Sequence, residues 1–300
     1  MDGIIVIDKP QGFTSFDVVA VMRRLCGQKK IGHTGTLDPM ATGVLPLLLG
    51  KATRAASFLE DTDKEYEAGI QLGYSTDTQD ATGKTLKEST IKTTREQLEA
   101  ALAHFRGDIL QMPPMFSAVQ KDGQRLYTLA RQGIEVERDA RPITIYQLNI
   151  IQFDEETQSG RLKIRCSKGT YIRTICADVG EALGTFGVMS SLRRTTACGF
   201  FLADSVSLEE AKELSAAGTL EQRVLPIENL FFRRSVLKVS PAQVQRFQNG
   251  GGLNLDRTTI LPQDKSDGAV LRVQTPDGVF LGLGEVRLAK AELGVLRLFC

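Results

Sequence analysis

The order of strand-like and helix-like segments constrains the fold of this chain more than any other feature. Short apolar runs and two-residue alternation predict strands at residues 4–7, 44–49, 64–72, 143–153 and 161–166. Capping residues and glycine stops predict helices after Thr14, after Thr94 and from Thr170 to Leu183, and a glycine- and threonine-rich loop at 31–43. Since strands and helices do not alternate regularly, we predict the α+β class, with a mixed, largely antiparallel sheet.

The character of the sequence changes after Glu228. Gly250–Gly252 and the stretch 262–268 separate short β-like runs at 269–273, 279–287 and 295–299. This pattern predicts two domains, a larger one over residues 1–230 and a small β-rich one over 231–300. A chain of 300 residues is long enough for both.

Composition excludes several classes of protein. The apolar fraction of 42% is ordinary for a globular domain, and no apolar run approaches the about 20 residues that span a bilayer. The N-terminus has no basic region of a signal peptide. Five scattered cysteines without a CxxC pair, and two distant histidines, predict neither a disulfide framework nor a metal site. We therefore expect a cytoplasmic, monomeric protein without metal, cofactor or membrane association.

The distribution of charge is more informative than the net charge of +1. Residues 161–200 carry seven basic side chains against two acidic ones, although Lys+Arg and Asp+Glu are nearly balanced over the chain, at 37 and 36. Such a stretch can be a phosphate-facing stripe, or merely a solvated sheet edge. Charge alone favours the second interpretation.

The residues that could take part in catalysis or binding are concentrated in the loop 32–43. Asp38 precedes Pro39, whose ring favours an extended conformation for the preceding residue. Gly35 and Gly43 permit another backbone or a ligand to approach closely. The loop leads directly into an apolar strand, which would hold Asp38 rigidly as a nucleophile or base. An Asp-Pro pair is also a common turn initiator, and by itself this is the more frequent role.

Several blocks along the chain together resemble the TruB family of pseudouridine synthases, the tRNA pseudouridine-55 synthases. The blocks are residues 8–15, 32–49, 64–66, 113–118 with Gly123, Tyr127, Ala130 and Arg131, 168–174 and 192–194. The resemblance covers nearly the whole chain, and several motifs in order are more specific than any one. One departure is Gln120, where the family pattern leads us to expect lysine; Lys121 is adjacent.

The resemblance implies a set of site residues. Asp38 matches the catalytic carboxylate, Tyr66 the tyrosine that stacks on the base, and Arg173 the cation beside the carboxylate. Tyr171 and Leu192 match residues that line the uracil pocket, and His33 matches a residue that stacks into the RNA where the target nucleotide has left. Residues 113–142 match an RNA-gripping thumb. Each residue taken singly is more often a core, loop or surface residue.

The resemblance also implies an activity. The expected reaction converts a uridine in the T loop of tRNA, at position 55, to pseudouridine, without cofactor or metal. Residues 231–300 resemble a PUA domain, most clearly at 279–286, and their ten bases against six acids permit phosphate binding. Two alternatives are a non-catalytic tRNA-binding chaperone and a guide-dependent relative. The intact Asp38, Tyr66 and Arg173 disfavour the first, while the short N-terminus and the absence of a lysine-rich tail disfavour the second.

Overall fold

A computed structural model describes residues 1–59, 62–121 and 123–300; Asp122, within the expected thumb, lies outside the described residues. The strands of the first 200 residues are β1 (Gly3–Lys9), β2 (Ile31–His33), β3 (Thr42–Leu49), β4 (Lys64–Leu72), β5 (Tyr74–Thr76), β6 (Thr85–Glu88), β7 (Gly107–Gln111), β8 (Gln120–Lys121), β9 (Gln124–Arg125), β10 (Arg141–Asp154), β11 (Ser159–Cys166), β12 (Gly187–Ala197) and β13 (Phe200–Phe201). Those that follow are β14 (Val236–Lys238), β15 (Leu253–Asn254), β16 (Val270–Gln274), β17 (Phe280–Arg287) and β18 (Glu292–Leu298). The α-helices are α1 (Ser15–Leu25), α2 (Arg95–Ala103), α3 (Leu126–Arg131), α4 (Ile172–Ala182), α5 (Leu208–Ala216) and α6 (Pro241–Gln248).

One large sheet organises the first part of the chain. Its strands follow the order β1-β3-β12-β4-β11-β10-β7, with β2 added to β3 and β13 added to β12. Among the described residues its ladders are antiparallel except for the pairing of β3 with β12, which is parallel. The α+β class and the mixed, largely antiparallel sheet are therefore confirmed for this part of the molecule.

Local signals positioned α1, α2 and α4, whereas α3, α5 and α6 were not predicted. The hydroxyl of Thr14 accepts a hydrogen bond from the backbone N–H of Asp17, and the Asp17 carboxylate accepts one from the Thr14 N–H, which forms a capping box for α1. Val18, Val19 and Met22 then place one face of α1 in the core. Thr94 caps α2 in the same way, as its sequence predicts.

Two predictions for the centre of the sheet were incomplete. Strand β12 was not predicted, although it lies at the middle of the sheet, because its polar residues mask the apolar alternation. Residues 31–43 were expected to be loop throughout, but Thr42 and Gly43 already belong to β3 and residues 31–33 form β2. This strand exists because Ile31–His33 pair with Leu47–Leu49 of β3, a contact that the local sequence does not reveal.

A second, five-stranded sheet follows, in the order β14-β16-β17-β18-β15. It has its own apolar cluster around Phe247, Val273 and Leu293. A further cluster joins it to the first sheet, with Phe231 packing against Phe280 and Phe299 at ring-centroid distances of 6.1 and 5.7 Å. None of the helices in the described part of the chain is long and apolar enough to cross a bilayer.

Candidate active site

Asp38 lies in the loop between β2 and β3, at the floor of a cleft. Its backbone carbonyl accepts a hydrogen bond from the Ala41 N–H at 3.0 Å, so the residue does begin a turn. Its side chain is nevertheless 40% exposed and lines the cleft. The turn and the functional interpretation of Asp38 are thus compatible, because the backbone makes the turn while the carboxylate remains available.

Buried cations hold this loop in place. The Arg194 guanidinium, fully buried, donates to the carbonyls of Val44, Thr36 and Gly35 at 2.7, 3.4 and 3.2 Å. Opposite it in the parallel ladder, Gly43 has a φ of +104°, and a Cβ there would lie 2.1 Å from the Arg194 carbonyl oxygen. Only glycine fits this close approach, as the sequence predicted for Gly43.

Lys9 anchors the other side of the loop. Its ammonium group donates to the carbonyls of Phe13, Pro10 and Pro39 at 2.6, 3.0 and 3.4 Å. Burial lowers the pKa of Lys9 to about 8, and the negative charge of Asp38 partly opposes this. Because three neutral carbonyls surround the amine, Lys9 joins the backbone of residues 10–13 to Pro39, directly after Asp38, rather than forming a close ion pair.

Arg173, in the first turn of α4, reaches Asp38 from across the cleft. Its Nη1 lies 3.6 Å from Asp38 Oδ2 and 3.8 Å from Asp80 Oδ2, and its Nη2 donates to the Phe116 carbonyl at 2.5 Å. The arginine side chain is only 8% exposed. One guanidinium therefore links the exposed carboxylate, a buried carboxylate and the segment expected to be the thumb.

Asp80 was missed by the sequence reasoning. It is 5% exposed, and its Oδ1 accepts hydrogen bonds from the hydroxyls of Thr78 and Thr82 at 2.9 and 2.6 Å. The signal available in the sequence was the cluster of Asp, Thr and Gly at 76–83. Among the described residues, no group of three or more His, Cys, Asp or Glu side chains is arranged to hold a metal ion.

Tyr66 and Leu192 form part of the cleft wall. Burial raises the pKa of the Tyr66 phenol to about 12, with the charge of Arg194 opposing the shift. Arg194 and Leu192 stand opposite Tyr66 and Ala68 in the β12–β4 ladder. Tyr66 is therefore a neutral phenol at any physiological pH, next to an apolar surface.

Tyr171 and His33 complete the set predicted from the sequence. The Arg173 guanidinium lies 5.9 Å from the centroid of the Tyr171 ring. His33 has a buried Nδ1 without a hydrogen-bond partner among the described residues. Burial lowers the pKa of His33, and the positive charge of Arg194 acts in the same direction, so the imidazole is neutral at pH 7.

The cleft brings together all six site residues that the sequence predicted, in a volume of about 850 Å³. The segment expected to be the thumb contributes Phe116, Ser117 and Gln120 to the lining. Lys121 donates instead to the Glu137 carbonyl at 2.5 Å, within the same segment. Gln120, which stands where the family pattern led us to expect lysine, therefore lines the cleft, whereas Lys121 contacts Glu137.

Most of the basic side chains in 161–200 have partners. Those of β11 lie near carboxylates on or beside β4, in the pairs Arg161–Glu67, Lys163–Glu65 and Arg165–Asp63, at 4.0, 3.3 and 3.7 Å. Arg193 pairs with Asp8 at 2.7 Å. This arrangement favours the solvated sheet surface over the phosphate-facing stripe.

Known proteins resemble this chain in sequence and in fold. Residues 23–172 match the model "TruB family pseudouridylate synthase (N terminal domain)", and residues 173–231 match "tRNA pseudouridylate synthase B C-terminal domain". The protein "tRNA pseudouridine synthase B" of Geobacillus thermodenitrificans is 46% identical over 283 residues, covering 92% of each chain. That of Azoarcus sp. is 44% identical and covers 95% of this chain and 91% of its own.

A solved structure supports the fold. A chain in "Crystal Structure of a Cbf5-Nop10-Gar1 Complex" superposes with a TM-score of 0.75 over 99% of this chain and 84% of its own, at 23% identity. At that identity the likeness concerns the fold alone.

Proposed function

This chain belongs to the TruB family of pseudouridylate synthases, and from that membership we propose that it isomerises uridine 55 in the T loop of tRNA to pseudouridine, with Asp38 as the catalytic carboxylate. The observation that carries the proposal is the contact of Asp38 with Arg173, 3.6 Å apart, in a cleft also lined by Tyr66 and Leu192. An acidic group at the floor of a cleft for a polyanion is costly for binding alone, so its presence favours chemistry.

The reaction requires no atom beyond those of the substrate. The bond between N1 of uracil and C1′ of ribose breaks, the ring turns, and a bond forms between C5 and C1′; C5 loses a proton and N1 gains one. Asp38 can act on the ribose or on the uracil ring, because its carboxylate is partly exposed. Arg173 orients this carboxylate through its planar guanidinium, which lysine would not reproduce.

The walls of the cleft suit an extruded base. Tyr66 presents a neutral aromatic ring and Leu192 an apolar side chain, which together can hold the faces of uracil. Since the Tyr66 phenol keeps its proton, it can only stack or relay a proton through its hydroxyl. His33, neutral and lining the same cleft, is suited to stack in the space that the uridine leaves.

We further assign the contacts with the rest of the tRNA to two regions. Residues 113–142 would act as a thumb over the cleft, and residues 231–300 as a PUA-like RNA-binding domain beside a catalytic domain of residues 1–230. Exposed Arg125 and Arg131 in the thumb supply cations at the cleft. We also propose that the protein acts in the cytoplasm as a monomer; five scattered cysteines without a CxxC pair fit a reducing compartment.

The test is turnover on tRNA transcribed without modifications. With tritium at C5 of uridine, each isomerisation releases one tritium into water, and mapping of the product identifies the modified position. We expect release to stop at one tritium per tRNA, with pseudouridine at position 55 alone. Binding without release would favour the chaperone alternative, whereas release at another position would reject the T-loop assignment.

The guide-dependent alternative is less well supported. Relatives named tRNA pseudouridine synthase B reach 46% identity, whereas the chain of the Cbf5-Nop10-Gar1 complex reaches 23%. Turnover by the purified protein on tRNA alone, without added RNA or protein, would exclude a requirement for a guide.

A further inference from the structure

We propose that Phe16, supported by Arg23, is a stacking platform for an unpaired nucleobase of the substrate RNA, next to the extruded uridine. This inference rests on the function proposed above and names a binding contact that the catalytic residues do not supply. It assigns Phe16 a role in affinity rather than in the bond-breaking chemistry.

Phe16 lies in the first turn of α1, on the side of the helix that faces away from the core. Its neighbours Ser15, Val18 and Val19 are buried, whereas the Phe16 side chain is 66% exposed. Phe16 also lines the cleft that contains Asp38. Burying a phenyl ring stabilises a protein by about 1.5–3 kcal/mol. Because the Phe16 ring is mostly exposed, the free protein lacks most of this stabilisation.

The guanidinium of Arg23 packs against the ring of Phe16. Seven residues along a helix bring two side chains to nearly the same face, and the Arg23 guanidinium lies 5.8 Å from the centroid of the Phe16 ring. Its Nη2 donates to the Ile31 carbonyl at 3.1 Å, which fixes the guanidinium to the backbone next to β2. The aromatic ring therefore rests on an anchored cation, with its remaining surface open to solvent.

A single exposed aromatic residue is ordinary, and Phe16 is distinguished by its position. Phe201 and Phe232 are also about half exposed, at 57% and 49%, but neither lines this cleft. Phe16 is an exposed phenylalanine at the edge of the site where a single-stranded RNA loop must pass.

Hydrogen bonds connect the start of α1, next to Phe16, to the loop that carries Asp38. Ser15, directly before Phe16, accepts a hydrogen bond from the Leu37 N–H at 2.8 Å and donates to the Leu37 carbonyl at 3.3 Å. Leu37 directly precedes Asp38. A base stacked on Phe16 is thus tied to the carboxylate through one buried side chain, which favours a nucleotide close to the target uridine.

The chemistry of the cleft identifies the occupant as nucleic acid. In the thumb, Tyr127 has the guanidinium groups of Arg125 and Arg131 at 5.9 and 5.5 Å from its ring centroid, and all three line the same cleft as Phe16. Aromatic faces stack on bases, and arginines meet phosphates or stack as well. Unpaired RNA loops present both groups, whereas paired bases are not free to stack.

The decisive experiment measures binding of an unmodified T-arm stem-loop and of whole tRNA to variants of the full chain. Phe16→Ala should weaken binding about 5-fold to about 150-fold, the equilibrium factor of a stacked base. Phe16→Tyr should restore most of it, because the aromatic face returns. Phe201→Ala, which removes an exposed aromatic side chain outside the cleft, should bind RNA as the wild type does. The loss for Phe16→Ala should fall on KM more than on kcat.

Abasic substitutions identify the base. Each unpaired loop nucleotide is replaced in turn by an abasic one, and binding is measured with wild type and with Phe16→Ala. At one loop position, the abasic substitution should strongly weaken binding to the wild-type protein and hardly change binding to Phe16→Ala. Unchanged affinity of Phe16→Ala, or a loss that couples to no loop position, would overturn the platform. A wild-type protein that binds RNA without releasing tritium would instead reject the proposed function, while the binding comparison still decides about Phe16.

Discussion

The guanidinium of Arg173 lies 3.8 Å from the buried carboxylate of Asp80, on the side away from solvent. Asp80 itself is held by hydroxyl groups of Thr78 and Thr82, so it cannot turn to follow the arginine. A fixed buried carboxylate thereby sets the position of the cation that meets Asp38.

Removal of the Asp80 charge should misplace Arg173. Asp80→Asn keeps the side-chain size and the capacity to accept from Thr78, so we expect the fold to be retained. Turnover in a single-turnover assay should fall about 10- to 100-fold, equivalent to ~1.4–2.7 kcal/mol of transition-state stabilisation. Asp77→Asn, an exposed carboxylate in the same turn, is the matched control and should leave turnover unchanged. Equal rates for the two variants would contradict a positioning role.

Asp38→Asn tests directly whether Asp38 is the catalytic carboxylate. Asparagine suits the turn as well as aspartate does, so the backbone should be unaffected. Tritium release should fall below detection, whereas affinity for tRNA should be similar or slightly higher, because one negative charge near phosphates is removed. Circular dichroism and a melting curve would serve as the check on folding. Near-normal turnover by this variant would reject Asp38 as the catalytic group.

The buried ammonium group of Lys9 predicts a pH-dependent stability. Its pKa is about 8 in the folded protein and about 10.5 in the unfolded chain, so the unfolded chain binds more protons between these values. The contribution of Lys9 to the free energy of unfolding should therefore rise from pH 8 to pH 10.5, by up to about 3 kcal/mol. Urea unfolding of wild type and Lys9→Met across this range measures it, because the difference between them cancels other titrating groups. A difference that is independent of pH would refute the burial argument.

The phenol of Tyr66 should contribute without ionising. Tyr66→Phe keeps the ring and loses the hydroxyl, so tRNA affinity should persist while single-turnover rates fall. Because the pKa of Tyr66 is about 12, the ratio of wild-type to variant rates should be the same at pH 6 and pH 9. A ratio that grows tenfold per pH unit would show instead that the ionised form of Tyr66, the phenolate, is the reactive form.

Salt titration should distinguish the two sets of cations. In the proposed thumb, Arg131 is exposed at the cleft, whereas Arg161 on β11 faces Glu67. Removing one contact between a cation and a phosphate lowers the magnitude of the slope of log affinity against log salt by about 0.7–0.9. Arg131→Gln should therefore lower the slope for tRNA by about this amount, and Arg161→Gln should change it little. A larger change in slope for Arg161→Gln than for Arg131→Gln would instead support a phosphate-facing stripe at 161–200.

The sequence by itself determined the elements whose signals are local. Thr14 and Thr94 cap their helices through residues three positions along, and the alternation at 64–72 reappears as a half-buried strand. The family motifs, each continuous in the chain, also indicated six candidate site residues, and the structure places all six in one cleft. These features involve hydrogen bonds or contacts within a few residues, which the order of residues contains directly.

Only the tertiary structure showed which distant residues join Asp38 and Arg173, the pair that the family resemblance implied. Asp80 and Asp38 share Arg173 although 42 and more residues separate the three positions. Strand β12 brings their segments together, because it pairs with β3, which follows the loop of Asp38, and its Met189 forms a β-bridge with Asp80. The same pairing buries Arg194 behind the loop of Asp38. Neither result could be predicted from local patterns, because β12 owes its place to its neighbours, and a buried charge is stable only where other parts of the chain supply its partners.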